Sequence, residues 1–159
     1  MNYTISGISP APFQHLFAMS DAELAALGID RHIADEEPGY PCRASLVDAA
    51  VGEEVLLLNF RHLDADSPYQ SNGPIFIRRQ AIEAARFENC LPPVLNQPER
   101  LFSVRAYDAM HRMVEADVCS SAQLSGIIER FLTPVEVDYL HIHFARRGCY
   151  IAKVVRQLA

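Results

Sequence analysis

The sequence predicts an α+β fold, in which an antiparallel β-sheet built from hairpins packs with an N-terminal helical arm and a helix near residues 121–132. Two observations support this class. Apolar and polar residues alternate with period two in segments that turn residues separate, and two capping-box sequences lie beside apolar stripes at helical spacing. The order of strands, helix and strands along the chain then favours an antiparallel sheet.

Length and composition indicate one globular domain. The 159 residues are half apolar, which suffices for one hydrophobic core. We divide the predicted single domain, 1–159, into an N-terminal helical arm with its connection, residues 1–40, and a sheet-centred body, residues 41–159. The net charge of −6 disfavours nucleic acid and anionic membrane surfaces as partners, because both attract basic proteins.

The sequence also indicates the cellular compartment and the state of the cysteines. No apolar run approaches the roughly 20 residues of a membrane-spanning helix, and the N-terminus lacks a basic start followed by an apolar segment. The sequence therefore predicts a cytoplasmic protein. Because no Cys-x-x-Cys pair occurs, the spacing excludes a zinc ribbon and predicts four free thiols: Cys42, Cys90, Cys119 and Cys149.

The N-terminal half opens with a predicted helix. Ser20 and Glu23 form a capping box for a helix over residues 21–27, and Gly28 can end it in the left-handed conformation. The acidic stretch 30–41 is predicted to be a connection over the surface.

Two strands are predicted next. Residues 42–46 alternate and residues 55–58 are continuously apolar, so we expect an antiparallel hairpin turned at Gly52. Gly73-Pro74 is predicted to form a rigid corner, at which alanine would be destabilising if the φ of Gly73 is positive, before a short strand that ends at Arg78. Residues 79–87 are predicted to form a helix.

The C-terminal half contains two predicted hairpins with a helix between them. Residues 101–107 and 113–118 form the first, which places Arg105 near Glu115. Ser120 and Gln123 cap the helix at 121–132.

The second hairpin spans residues 137–156 and turns at Gly148. Its alternation divides the side chains between two faces. One face carries Leu140, Ile142, Phe144, Tyr150, Ala152 and Val154; the other carries His141, His143, Cys149 and Lys153.

Several segments, taken in order, resemble a bacterial family catalogued as domain of unknown function 1203. The segments that carry the resemblance are Pro41-Cys42-Arg43, Gly52-Glu53, Pro68-Tyr69, Gly73-Pro74-Ile75-Phe76, Arg105-Ala106-Tyr107-Asp108 and Gly148-Cys149-Tyr150. The resemblance implies a bacterial protein and supplies no activity or cofactor. Where the family often has His, this chain has Arg78, so no histidine-dependent chemistry transfers to that position.

The leading functional hypothesis is that the polar sheet face binds a small anionic metabolite, a carboxylate or a phosphate. Arginine forks bind such groups in bidentate geometry, tyrosine adds a neutral donor, and a turn-rich loop adds backbone N–H groups. Residues 67–73 would form a lid. The candidate contacts are Arg43, Ser67, Tyr69, Gly73, Arg78, Arg105, Tyr107, His141, His143 and Cys149. The plainer alternative is that these arginines are solvated or paired with Asp64, Asp66, Glu115 and Asp117.

Two other functions stay open on the sequence. The protein could be a non-enzymatic interaction module or a homodimer that associates through a strand edge or the N-terminal arm. It could also be a thiol-dependent or metal-dependent enzyme. That third hypothesis uses His141, His143 and Cys149 with His62 from a loop, or a nucleophilic Cys42 or Cys149. The plainer alternative is solvated histidines and packed thiols. We assign no metal and no other cofactor.

Overall fold

The computed structural model describes residues 2–157, which form two antiparallel sheets and two α-helices. The strands are β1 (Tyr3–Ser6), β2 (Asp30–Ile33), β3 (Glu54–Leu63), β4 (Ser71–Arg78), β5 (Arg86–Glu88), β6 (Leu101–Tyr107), β7 (Met113–Ser120), β8 (Tyr139–Phe144) and β9 (Tyr150–Arg156). The helices are α1 (Asp21–Ala26) and α2 (Ser121–Leu132), and 3-10 turns cover Ala11–Ala18 and Pro93–Leu95. The α+β class is confirmed.

The sheets differ in size and order. The larger sheet has the order β5-β1-β9-β8-β6-β7, and the smaller has the order β2-β3-β4. All strand pairs are antiparallel. Within residues 2–157, no helix is both long and apolar enough to cross a bilayer.

Both capping boxes form as predicted. At α1, Ser20 Oγ accepts a hydrogen bond from the Glu23 backbone N–H, while the Glu23 carboxylate accepts one from the Ser20 N–H. Gly28 follows with φ of 72°. At α2, the Gln123 side chain accepts a hydrogen bond from the Ser120 N–H at 3.0 Å. Because these signals are local, each helix begins where the sequence predicts.

One face of the larger sheet and the apolar stripe of α2 form the main core. The helix buries Leu124, Ile128 and Phe131, and the sheet contributes Phe102, Val104, Ala106, Leu140, Ile142, Ile151, Ala152 and Val154. A second core lies between the smaller sheet and the N-terminal arm and includes Leu16, Phe17, Leu24, Leu56, Leu58, Ile75 and Ile77.

Several predictions for the first half of the chain are wrong. Residues 42–46 form no strand, because residues 43–45 form a turn and Cys42 makes only an isolated bridge, and Leu46 has φ of 55°. β3 pairs with β2 and β4 and not with residues 42–46, and β2 lies in the stretch predicted to be a surface connection. Residues 79–87 form no helix, because their end becomes β5 and pairs with β1. Long-range strand pairing overrides the weak local helix propensity here.

The registers of both C-terminal hairpins differ from the predicted ones because each hairpin contains a β-bulge. Between β6 and β7 the extra residue shifts the pairing, so Arg105 lies opposite Ala116, and Glu115 lies opposite Ala106. Between β8 and β9, His143 pairs with Tyr150 while Ile142 pairs with Ala152, which leaves Ile151 as the extra residue. Tyr150 therefore lies on the histidine face, not on the apolar face as predicted.

Two glycines give a matched stability test. Gly148 has φ of 80° in the β8–β9 turn, as predicted, whereas Gly73 lies inside β4 opposite Phe60 without positive φ. The predicted corner at Gly73-Pro74 is wrong. Pro74 is accommodated because β4 is an edge strand.

We expect Gly148→Ala to lower the free energy of unfolding by about 1 kcal/mol, because the left-handed region penalises a Cβ atom. Gly73→Ala should change it by less than about 0.5 kcal/mol, because no described residue other than its two chain neighbours has an atom within 4 Å of the added Cβ. Urea denaturation of both variants checks this. Equal losses in the two variants would contradict it.

Candidate functional site

The side of the larger sheet away from α2 carries a cluster of histidines and tyrosines. We call it the His–Tyr cluster, and it consists of His62 from β3, Tyr107 from β6, Tyr139, His141 and His143 from β8, and Tyr150 from β9. The smaller sheet supplies His62, whose ring stacks on Tyr150 at 5.2 Å between ring centres. The cluster is thus shared between the two sheets.

The cluster is buried because β3 lies against this face. His141 is 3% exposed and His143 is 1% exposed. The ring centre of His62 lies 6.0 Å from that of His141 and 5.0 Å from that of His143. The plainer prediction, that these histidines meet solvent, is wrong, because a second sheet covers them.

Three imidazole nitrogens in the cluster are buried and have no hydrogen-bond partner among residues 2–157. They are His62 Nδ1, His141 Nδ1 and His143 Nε2. His143 Nδ1 lies 3.0 Å from the Gly148 carbonyl oxygen, so it donates there, and Nε2 keeps a lone pair with no donor. A buried polar atom left unsatisfied costs about 1–3 kcal/mol, so such atoms mark places for a ligand or water.

The buried imidazoles are neutral at neutral pH. Burial, together with electrostatic repulsion from His143 and His62 in their protonated forms, lowers the pKa of His141 to about 2. Burial and the Arg105 guanidinium lower the pKa of His143 to about 3, and the same two causes lower the pKa of His62. Neutral imidazole offers one N–H donor and one acceptor nitrogen.

The tyrosines keep their phenolic protons. Burial raises the pKa of Tyr139 to about 12, and it also raises the pKa values of Tyr107 and Tyr150. The Tyr139 hydroxyl lies 3.0 Å from His111 Nδ1. The tyrosines of the cluster can therefore donate hydrogen bonds.

A cleft of about 200 Å³ opens between the two sheets beside the cluster. The residues that line it are Ile8, Phe60, His62, Leu63, Asp64, Ala65, His111, Tyr139, His141, Tyr150 and Lys153. Its volume is below the roughly 300–1,000 Å³ of pockets for drug-sized molecules, so it suits a small ligand.

Two cations near the cleft lack a carboxylate partner among residues 2–157. Lys153, the only lysine in the sequence, holds its Nζ 4.3 Å from the centre of the Tyr139 ring. Arg105 is partly buried opposite His141, and its Nε donates to Ser103 Oγ at 3.2 Å. Neither makes an ion pair in the described part of the chain.

Two residues of the predicted lid make contacts at the site, one with His111, which lines the cleft, and one with Tyr107 of the cluster. Ser67 Oγ donates to the His111 carbonyl oxygen at 2.8 Å, and the Tyr69 ring centre lies 6.2 Å from that of Tyr107. The loop therefore lies beside the Tyr107 end of the cluster.

Other predicted contacts have structural partners. Arg78 is ion-paired with Glu53 at 2.5 Å and donates to Ser45 Oγ, and it does not line the cleft. Gly73 pairs within the smaller sheet.

Arg43 and Cys149 contact each other and do not line the cleft. Arg43 is 2% exposed, and its Nη2 donates to Cys149 Sγ at 3.2 Å. Its other donors reach the carbonyl oxygens of Tyr150, at 2.7 Å, and Pro41. All four cysteines are free thiols, as predicted.

The metal hypothesis finds no support in the geometry. His62 does lie beside His141 and His143, from β3 rather than a loop, but Cys149 contacts Arg43. Over the span 2–157, no group of three or more His, Cys, Asp or Glu side chains is arranged to hold a metal ion.

The sequence interpretation missed several lining residues. Tyr139, His141 and His143 alternate along one strand, so the sequence pattern could have placed Tyr139 on the same face as the two histidines. No sequence signal placed His111, Asp64 or Tyr150 at the cleft, because their positions depend on a loop path and a bulge.

The fold and the cleft define a class: a two-sheet α+β protein with a histidine- and tyrosine-lined cleft between its sheets. The family model described as "Protein of unknown function (DUF1203)" matches residues 39–156, so the chain belongs to that family. The match confirms the resemblance seen in the sequence. Comparisons with curated proteins and with solved structures found no match.

Proposed function

We propose that the protein binds a small anionic metabolite, a carboxylate or a phosphate, in the cleft between the sheets. The observation that carries the proposal is that His62 and His141 line the cleft and each has a buried nitrogen without a hydrogen-bond partner among residues 2–157. Lys153 lines the same cleft and makes no ion pair within that span. Polar atoms that are costly to bury unsatisfied are retained where a ligand completes their hydrogen bonds.

The charges favour an anion. Lys153 lines the cleft, and the Arg105 charge reaches it, since it contributes to the lowered pKa of both His62 and His141. The same positive field attracts a negative ligand. Neutral imidazole and phenol groups then supply hydrogen-bond donors without adding a charge that needs its own partner.

A thermal-shift titration tests the proposal. Acetate or inorganic phosphate at about 100 times its dissociation constant should stabilise the protein by about 2.7 kcal/mol, a rise in Tm of roughly 5–10 °C. Lys153→Met should remove most of this shift because it deletes the cation of the cleft. Arg146→Met, which removes an exposed charge in the β8–β9 turn, is the matched control and should keep the shift.

Anions that fail to stabilise the parent, or that stabilise Lys153→Met as much as the parent, would remove the cleft as their binding site.

A second candidate function is homodimerisation, or protein docking, through β7. This strand is an edge of the larger sheet, and its Val114 and Val118 side chains are 46% and 59% exposed. Exposed edges with apolar side chains can pair with another chain. Light scattering over a wide concentration range should show a dimer that Val118→Lys dissociates. A monomer at all concentrations would remove the homodimer.

A further inference from the structure

The cleft carries a negative group as well as a positive one. Asp64, which directly follows β3 of the smaller sheet, lines the same cleft as Lys153 on β9 of the larger sheet. Opposite charges therefore come from opposite walls. They form no ion pair with each other among the pairs found in residues 2–157.

We propose that the ligand is a zwitterion of the amino-acid type, with its carboxylate toward Lys153 and its ammonium group toward Asp64. This inference rests on the proposed function, because the carboxylate of the zwitterion is the anion that Lys153 binds in the cleft. It adds a second contact, between Asp64 and the ammonium group, which distinguishes a zwitterion from a simple anion.

Asp64 is available to bind a cation. It pairs with Arg61 at 3.3 Å, and the two side chains are 73% and 55% exposed. Exposed pairs of this kind contribute little, so the pairing leaves the carboxylate free to contact a ligand.

The aromatic walls also suit an ammonium group. Phe60, Tyr139 and Tyr150 line the cleft, and the Lys153 ammonium already lies 4.3 Å from the centre of the Tyr139 ring. Aromatic faces attract cations, most strongly where water is excluded.

The hydrogen-bonding capacity of the imidazoles favours a zwitterion over a simple anion. Neutral His62 and His141 each present one donor and one acceptor, and each has a buried nitrogen without a partner. A carboxylate only accepts hydrogen bonds, so it satisfies donors alone. An ammonium group donates, and a ligand with both groups can therefore satisfy both kinds of atom.

Isothermal titration with matched trios of ligands tests the inference. The trios are alanine, propionate and ethylamine, and phenylalanine, 3-phenylpropionate and phenethylamine. In at least one trio, the amino acid should bind about fivefold more tightly than the carboxylate that lacks the amine. The amine without a carboxylate should bind more weakly than both.

Two variants test whether Asp64 is the residue that contacts the ammonium group. Asp64→Asn should remove the roughly fivefold advantage of the amino acid and leave the affinity for the plain carboxylate unchanged or higher. Asp66→Asn, an exposed carboxylate two residues further along the same loop, should retain the advantage.

The outcomes separate this inference from the function on which it rests. Plain carboxylates that bind as tightly as their amino acids in both trios, or an advantage that survives in Asp64→Asn, would overturn the zwitterion and leave anion binding standing. Failure of the carboxylates and of inorganic phosphate to bind would overturn both.

Discussion

Acidification from pH 7 to pH 5 is expected to lower the free energy of unfolding by about 4 kcal/mol through His141 and His143. Their pKa values are about 2 and about 3 in the folded protein, against about 6.5 in an unfolded chain. At pH values between the folded-state and unfolded-state pKa values, the histidines bind protons in the unfolded state and not in the folded state. Each histidine then contributes about 2 kcal/mol of lost stability over this interval.

The direction follows from the lowered folded-state pKa values. The stability is fully present above pH 6.5 and is lost as the pH falls below it. Urea midpoints at pH 7, 6 and 5 measure this loss. His141→Phe should roughly halve the dependence on pH, and because it also removes an unsatisfied buried nitrogen, it should not destabilise the protein strongly at pH 7.

His15→Gln is the control, because His15 is exposed on the N-terminal arm and should not alter the profile. A free energy of unfolding that stays level from pH 7 to pH 5 would show that the two buried histidines take up protons without unfolding. That result would contradict the closed, neutral state of the His–Tyr cluster.

Arg43→Ala is expected to lower the free energy of unfolding by at least about 3 kcal/mol. The guanidinium is buried, donates to the Tyr150 and Pro41 carbonyl oxygens, and lies 5.3 Å from the centre of the Phe144 ring. Each carbonyl left without a donor costs about 1–3 kcal/mol, and the lost packing adds to that. Burial lowers the pKa of Arg43, yet an arginine stays charged in proteins.

Arg43→Lys should restore only a small part of this stability, because one ammonium group cannot reproduce a planar fork with several donors. Arg86→Ala is the matched control. Its pair with Glu88 is exposed, with side chains 62% and 56% accessible, so the loss should stay below about 1 kcal/mol. Denaturant unfolding measures all three variants. An Arg43→Ala protein as stable as the parent would contradict this structural role and leave the ligand contact predicted from the sequence open.

The sequence was most informative where structure is decided locally. The capping residues Ser20 and Ser120 begin α1 and α2 as predicted, and Gly148 takes the left-handed conformation expected of its turn. Each signal acts within a few residues, so the surrounding chain does not need to be known.

The site depended on long-range packing that one sequence does not contain. The histidines on β8 were recognised as a polar pair, but their burial needs β3, whose pairing with β2 the sequence interpretation missed. The bulge at Ile151 moved Tyr150 to the cluster. Arg43 was taken for a surface contact because no local pattern distinguishes a buried arginine from an exposed one.

One measurement tests the central claim, that a small anion binds in the cleft, most directly. Because Lys153 is the only lysine, reductive methylation with ¹³C-formaldehyde labels that side chain and the N-terminal amine alone and preserves both charges. Titration with acetate, phosphate or alanine should then move the Lys153 methyl signal along a saturating curve while the N-terminal signal stays in place. A Lys153 signal that does not move, or that moves only in parallel with the N-terminal signal, would contradict binding in the cleft.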